Sequence, residues 1–164
     1  MGHIAWIEVI EMVLVFMGPY CTGKSSVAEL IREKTDIQIV TGKDYLRLSS
    51  NEDDAWRLFL DRIKSVTDEK LNSEKSIIYI LDDAEKVSDF VDTEGIRLVK
   101  FSATLDAIKH RYEARMQGEL PGVVVKMLNK QKDSWDQVLC DVDIDSSRQR
   151  EIREMAQEVI DRIS

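Results

Sequence analysis

The stretch Met12-Val13-Leu14-Val15-Phe16-Met17-Gly18-Pro19-Tyr20-Cys21-Thr22-Gly23-Lys24-Ser25-Ser26 decides the fold. Its first six residues form an unbroken apolar run, the pattern of a strand buried on both faces. The next eight, Gly18 to Ser25, match G-x-x-x-x-G-K-[ST]. From there to Lys34 the apolar residues recur at helical spacing. A buried strand, a glycine-bounded turn and a helix start are the context in which this motif cradles phosphates. Glycine lets the backbone curl and approach a ligand closely. Successive N–H groups then point inward, and the helix dipole favours an anion at its positive end. Gly18, Pro19, Tyr20, Cys21, Thr22, Gly23, Lys24, Ser25 and Ser26 are therefore the expected nucleotide-binding residues. Lys24 is placed to neutralise the β- and γ-phosphates, and the Ser25 hydroxyl to ligate Mg²⁺. Cys21, beside a helix start, is a candidate reactive thiol.

The remaining chain continues the alternation. Apolar runs at 12–17, 37–40, 76–81, 96–101 and 138–144 predict five strands, separated by helical patterns at 25–34, 51–71, 84–90, 105–116, 121–135 and 148–163. Such alternation implies βαβ units, hence an α/β fold with a parallel sheet covered on both faces. The run Ile77-Ile78-Tyr79-Ile80-Leu81 has no polar gap and reads as a central strand. Thr104 is expected to cap the helix opening at Leu105, and Ser146 or Ser147 the last helix. Asp82 and Asp83 end the third strand, where an acid beside a phosphate loop holds Mg²⁺; Asp82 is the favoured one of the two.

Composition narrows the function. With 164 residues the chain has the length of one domain, assigned to 12–164, preceded by an extension at 1–11. A net charge of −8 disfavours a nucleic-acid surface, which needs Lys and Arg in excess. Glu8 and Glu11 interrupt the apolar N-terminal stretch, so neither a signal peptide nor a membrane span is expected. Two cysteines, Cys21 and Cys140, make no disulfide framework, and a cytoplasmic setting follows. His3 and His110 have no metal-ligand company, and Trp56, Trp135 and Tyr112 read as packing residues. A GTPase assignment fails on context. Asp92-Thr93-Glu94-Gly95 fits D-x-x-G but lies ten residues beyond Asp82, and Asn129-Lys130-Gln131-Lys132-Asp133 is one residue too long for N-K-x-D and sits in a helical pattern.

Three further pieces share a direction: Thr41-Gly42-Lys43-Asp44-Tyr45-Leu46-Arg47 after the second strand, Asp82 after the third, and Arg111 with Arg115 on one helix face after the fourth. Together with the phosphate loop they resemble the small P-loop kinases, the nucleoside monophosphate kinase and shikimate kinase group. The resemblance spans most of the chain. It implies a three-layer fold with a five-stranded parallel sheet in order 2-3-1-4-5 and a short lid at about 116–135, hinged at Gln117-Gly118-Glu119-Leu120-Pro121-Gly122. It further implies ATP and Mg²⁺ as cofactors and a small-molecule phosphoryl acceptor. Thr41, Gly42 and Arg47 look like the T-G-x-x-x-R acceptor segment of adenylate kinases, with one residue inserted before Arg47. Asp44 is similar to the aspartate that accepts the hydroxyl proton in kinases of hydroxyl groups. By the same resemblance Arg111 and Arg115 close over the transferring phosphoryl group, and Arg148 lies near the base. The G-x-P-R segment of adenylate kinases and the glycine triplet of shikimate kinases are absent; Asp83-Ala84-Glu85-Lys86 stands there instead. The expected function is transfer of the γ-phosphoryl of ATP to a small metabolite or nucleoside monophosphate. The alternative is an ATP-binding or ATPase switch module without a small-molecule acceptor.

Overall fold

A computed structural model of the protein describes residues 12–67 and 76–163. Its five strands are β1 (Val13–Met17), β2 (Gln38–Thr41), β3 (Ile77–Leu81), β4 (Ile96–Ser102) and β5 (Val142–Asp145). They pair in parallel in the order β2-β3-β1-β4-β5, the order expected from the sequence. The helices are α1 (Lys24–Lys34), α2 (Glu52–Thr67), α3 (Leu105–Met116), α4 (Gly122–Asp136) and α5 (Ile152–Ile163).

Alternate residues of β1 explain its unbroken apolar run. Leu14 and Phe16 pack beneath α1 and α5 against Val27, Ile31, Val159 and Ile160, whereas Val13, Val15 and Met17 pack under α2 against Phe59 and Ile63. A strand with a core on each side has no place for a polar residue. The register pairs Met17 with Leu81 on one side and Lys100 on the other, so β1 and β3 end at one level while β4 continues to Ser102. After β1 the chain crosses toward β3 and β2, while β4 and β5 lie on the opposite side. The crevice at the C-terminal ends of the strands, where this order reverses, is where ligands of open α/β sheets bind.

Several local expectations change in the structure. The predicted helix at 84–90 is a 3-10 turn, Ala84–Asp89, opened by Asp83, whose carboxylate accepts the Glu85 amide at 3.0 Å. Thr104 caps α3 as expected, accepting the Ala107 amide. Ser146 and Ser147 do not cap the last helix, which begins only at Ile152. Ser146 instead donates its hydroxyl to Ser102 O at 3.0 Å, and the Ser147 hydroxyl accepts the Thr104 amide at 3.1 Å. The fifth strand starts at Val142 rather than 138, because the Asp141 carboxylate takes the Leu98 amide at 2.8 Å before the ladder begins. The expected extension at 1–11 and the end of the second helical pattern, 68–71, lie outside the described residues. Residues 116–135, expected as a short lid, form an arm in which α4 folds back on α3 and buries Leu128 against Ala103 and Ile108. Trp56 and Trp135 are core residues, and Tyr112 packs in the α3–α4 cluster. No helix among the described residues is long and apolar enough to cross a membrane.

Gly18 has φ +131°, and a Cβ there would stand 2.1 Å from the Phe101 carbonyl oxygen of β4. Because that neighbour is backbone, Gly18→Ala must separate loop from sheet. The expected loss is about 3 kcal/mol, a fall of about 6–12 °C in Tm by thermal unfolding.

Candidate active site

The loop between β1 and α1 turns through three residues of positive φ: Gly18 (+131°), Cys21 (+62°) and Gly23 (+92°). Thr22 closes it, donating its hydroxyl to Pro19 O at 2.9 Å. Lys24 folds back over the loop and donates Nζ–H to Gly18 O and, at 3.0 Å, to Pro19 O. Its side chain is 7% exposed. Burial pulls its pKa down from 10.5 to about 8, although neighbouring Asp82 and Cys21 act in the opposite sense. The Cys21 thiol, read as reactive from its position, belongs to a residue that is itself only 7% exposed.

Two more elements grip the loop. Arg111 of α3 donates Nη1–H to Cys21 O at 2.8 Å and to the Ser146 hydroxyl at 3.3 Å, and Nη2–H to Ser146 O. It thereby ties the phosphate loop to the turn after β5. From α4, Gln131 Oε1 accepts the Tyr20 amide at 3.0 Å. Arg115, one helical turn beyond Arg111, is exposed and lines a 170 Å³ cavity with residues 20–26, Ile80 and Asp82. A second cavity of 210 Å³, lined by Arg111, Arg115, Ser26 and Ser146, contains Arg148. Ser25 and Asp82 border the first cavity together. One hydroxyl and one carboxylate beside a phosphate cradle suit Mg²⁺, which takes few protein ligands and completes its shell with phosphate oxygens and water. Among the described residues no group of three His, Cys, Asp or Glu forms a stand-alone metal centre.

The region after β2 forms the opposite wall. Thr41, Gly42, Asp44 and Arg47 all line one cleft of about 730 Å³, together with Tyr20, Asp82 and Asp83. Asp44 Oδ2 accepts both the amide and the hydroxyl of Thr41, each at 3.1 Å. Gly42 has φ +43°, and a Cβ on it would come within 2.6 Å of Asp82 Oδ2. Asp82 borders both cavities, while Asp83 is engaged in capping.

Sequence reasoning missed two side chains here. Tyr79 of β3 donates its hydroxyl to Gly42 O at 2.7 Å, and burial pushes that phenol far above its usual range, so it remains a neutral donor. Its signal was present: a phenol inside an aliphatic strand needs a polar partner. Gln131 gave no such signal, because its partner Tyr20 lies 111 residues away in the chain.

No family model matches the chain, and no curated protein matches its sequence. Solved structures share its fold. A sugar kinase from Janibacter sp. HTCC2649 superposes with a TM-score of 0.63 at 13% identity, over 93% of this chain and 94% of that one. A gluconokinase from Sinorhizobium meliloti 1021 gives 0.62 at 21% identity, over 94% and 92%. Shikimate kinase from Aquifex aeolicus gives 0.57 at 14% identity, over 93% and 96%. The chain has the P-loop kinase fold.

The Lys24 ammonium, the form that attracts an anion, prevails below about pH 8. A bound anion raises the Lys24 pKa, so binding between pH 8 and 10 takes up nearly one proton. Sulfate affinity (an anion that does not titrate in this range), measured by calorimetry in buffers of different ionisation heat, is expected to fall by up to about tenfold per pH unit above 8. Lys24→Met should remove both the proton uptake and the pH dependence.

Proposed function

We propose that the chain is a kinase that moves the γ-phosphoryl of ATP to a hydroxyl group of a small-molecule acceptor, with Mg²⁺. The observation that carries this reading is the adjacency of two cavities. The one over the phosphate loop and the larger one over Thr41–Arg47 share Tyr20 and Asp82 as common walls. A terminal phosphate in the first would face an acceptor in the second. A nucleotide switch has no need of that second cleft. The fold shared with a sugar kinase, a gluconokinase and a shikimate kinase, over more than nine-tenths of each chain, supports the same reading.

In this mechanism the acceptor oxygen bonds to the γ-phosphorus as the bond to the β-phosphate oxygen breaks. The proton of the acceptor hydroxyl passes to the Asp44 carboxylate, whose Oδ2 is steadied by Thr41. Lys24 and the loop amides hold the β- and γ-phosphates. Ser25 and Asp82 would hold Mg²⁺, which neutralises charge on the phosphate oxygens. Arg115, exposed at the rim of the phosphate-loop cavity, reaches the transferring group, and Arg111 positions the loop through Cys21. Thr41, Gly42 and Arg47 meet the acceptor, and Arg148 flanks the nucleotide base. The arm 116–135 acts as the lid, its α4 resting on the loop through Gln131. Both described cysteines are free thiols, in keeping with a reducing cytoplasm.

The test is ADP release with a panel of hydroxylated metabolites. Stimulation by an acceptor is expected, and release indifferent to every acceptor would overturn the reading in favour of a switch. Lys24→Ala should lower the transfer rate by at least about 10²-fold without lowering Tm, since it removes a buried charge. Arg115→Ala should lower kcat by about 10²–10³-fold with a smaller change in nucleotide affinity.

A further inference from the structure

We propose that Tyr79 is a positioning residue: its buried hydroxyl holds the turn after β2 at Gly42 and thereby aims the Asp44 carboxylate at the acceptor. The inference rests on the kinase reading in taking Asp44 as the group that receives the acceptor proton, and it adds what keeps that group in place. Asp44 is exposed, in a segment, 41–48, of which only Gly42 and Tyr45 are buried. An exposed carboxylate on a turn is held only as firmly as the backbone beneath it. Asp44 lies between the two buried residues, so these are the anchors that fix it.

The Tyr45 anchor is apolar. Its ring enters the cluster beneath α2, with centroids 4.9 Å from Trp56 and 6.2 Å from Phe59. The Gly42 anchor is polar. Gly42 N–H donates to Ile80 O at 2.8 Å, and Gly42 O accepts the Tyr79 hydroxyl at 2.7 Å, so β3 grips both polar groups of this residue. The Tyr79 ring is itself wedged between Phe59 at 4.7 Å and Phe90 at 5.9 Å, and the residue is 1% exposed. Burial, followed by Tyr45 and the carboxylates of Asp82, Asp44 and Asp83, keeps the phenol protonated well above neutral pH, so the donor is retained. The other residues of β3 are Ile77, Ile78, Ile80 and Leu81, and the one hydroxyl among them is spent on the turn rather than on the core.

The test compares the full chain with Tyr79→Phe, which keeps the ring and removes only the hydroxyl. Turnover of MgATP is followed as ADP release, with water alone and with hydroxylated metabolites. kcat should fall about tenfold or more while KM for MgATP stays within about twofold, because the phosphate loop keeps its own contacts. Asp44→Asn leaves Thr41 an acceptor but cannot take the proton; in that background Tyr79→Phe should lower kcat by less than about twofold further. A tyrosine that serves stability alone would cost the same factor in both backgrounds. Hydrogen exchange of the Thr41 and Gly42 amides, followed by NMR, should quicken about tenfold in Tyr79→Phe, with the β1 amides unchanged. An unaltered kcat, a full loss that persists beside Asp44→Asn, or unaltered exchange overturns the inference and leaves the kinase reading in place. Quicker exchange together with ADP release that no acceptor stimulates sinks the kinase reading and leaves the anchor standing.

Discussion

The contact between the Gly18 backbone and the Phe101 carbonyl of β4 sets the position of everything in the cleft. β1 ends level with β3, whereas β4 continues past it to Ser102, so the chain must reverse against the end of β4 to start α1. Without a side chain at Gly18 the loop sits down on β4; with one, the first atom would already overlap a carbonyl oxygen. That height decides where Lys24 and Ser25 emerge from the first turn of α1. It also decides how far Arg111 must reach to hold Cys21 O. A second glycine plays the same part across the crevice, since Gly42 leaves just enough room for the Asp82 carboxylate. The two turns are built around close approaches that no other residue tolerates.

Lys24 is the energetic counterpart of this geometry. A buried ammonium is unfavourable unless it is hydrogen-bonded, and here two carbonyls of its own loop supply the bonds. The same burial that lowers its pKa removes competing water, so the charge acts at a lower effective dielectric on any anion beside it. The position is poor for stability and suited to an anion, a breach of local rules of the kind that proteins keep for functional sites.

Much of this was legible in the sequence because it is local. The G-x-x-x-x-G-K-[ST] loop, the double-sided burial of β1 and the continuous segment Thr41–Arg47 each lie within a few residues. Spacing puts Arg111 and Arg115 on one helix face, while their place beside the loop was implied only by the resemblance to small P-loop kinases. Arg111's partners could not be read, since they lie 90 and 35 residues away in the chain. Tyr79 and Gln131 depend on partners 37 and 111 residues distant. The last helix shows the same limit. Helical spacing seemed to extend back to 148, but Arg150 donates to Asp145 O and to Glu154 and Glu158, and its guanidinium anchors the segment before Ile152 outside the helix. Ser146 and Ser147 have capping chemistry, yet the neighbouring end of β4 claims their hydroxyls first.

A peptide loop that binds anions faces a conflict, because every residue brings an acceptor carbonyl along with its donor N–H. This loop resolves the conflict by giving its carbonyls other partners. Lys24 takes Gly18 O, Lys24 and Thr22 share Pro19 O, and Arg111 takes Cys21 O. Pro19 contributes no N–H at all, and the Tyr20 amide is already held by Gln131 of α4. The donors left for a ligand are thus concentrated from Cys21 onward, at the positive end of α1. In the proposed nucleotide site this favours an anion at the α1 end of the cavity, next to Asp82, over one at the β1 end. The cations that orient the carbonyls are the ones that also carry the site's positive charge, so orientation and attraction come from the same side chains. Among the described residues Arg115 holds no backbone carbonyl, so its guanidinium is not committed to orienting the loop.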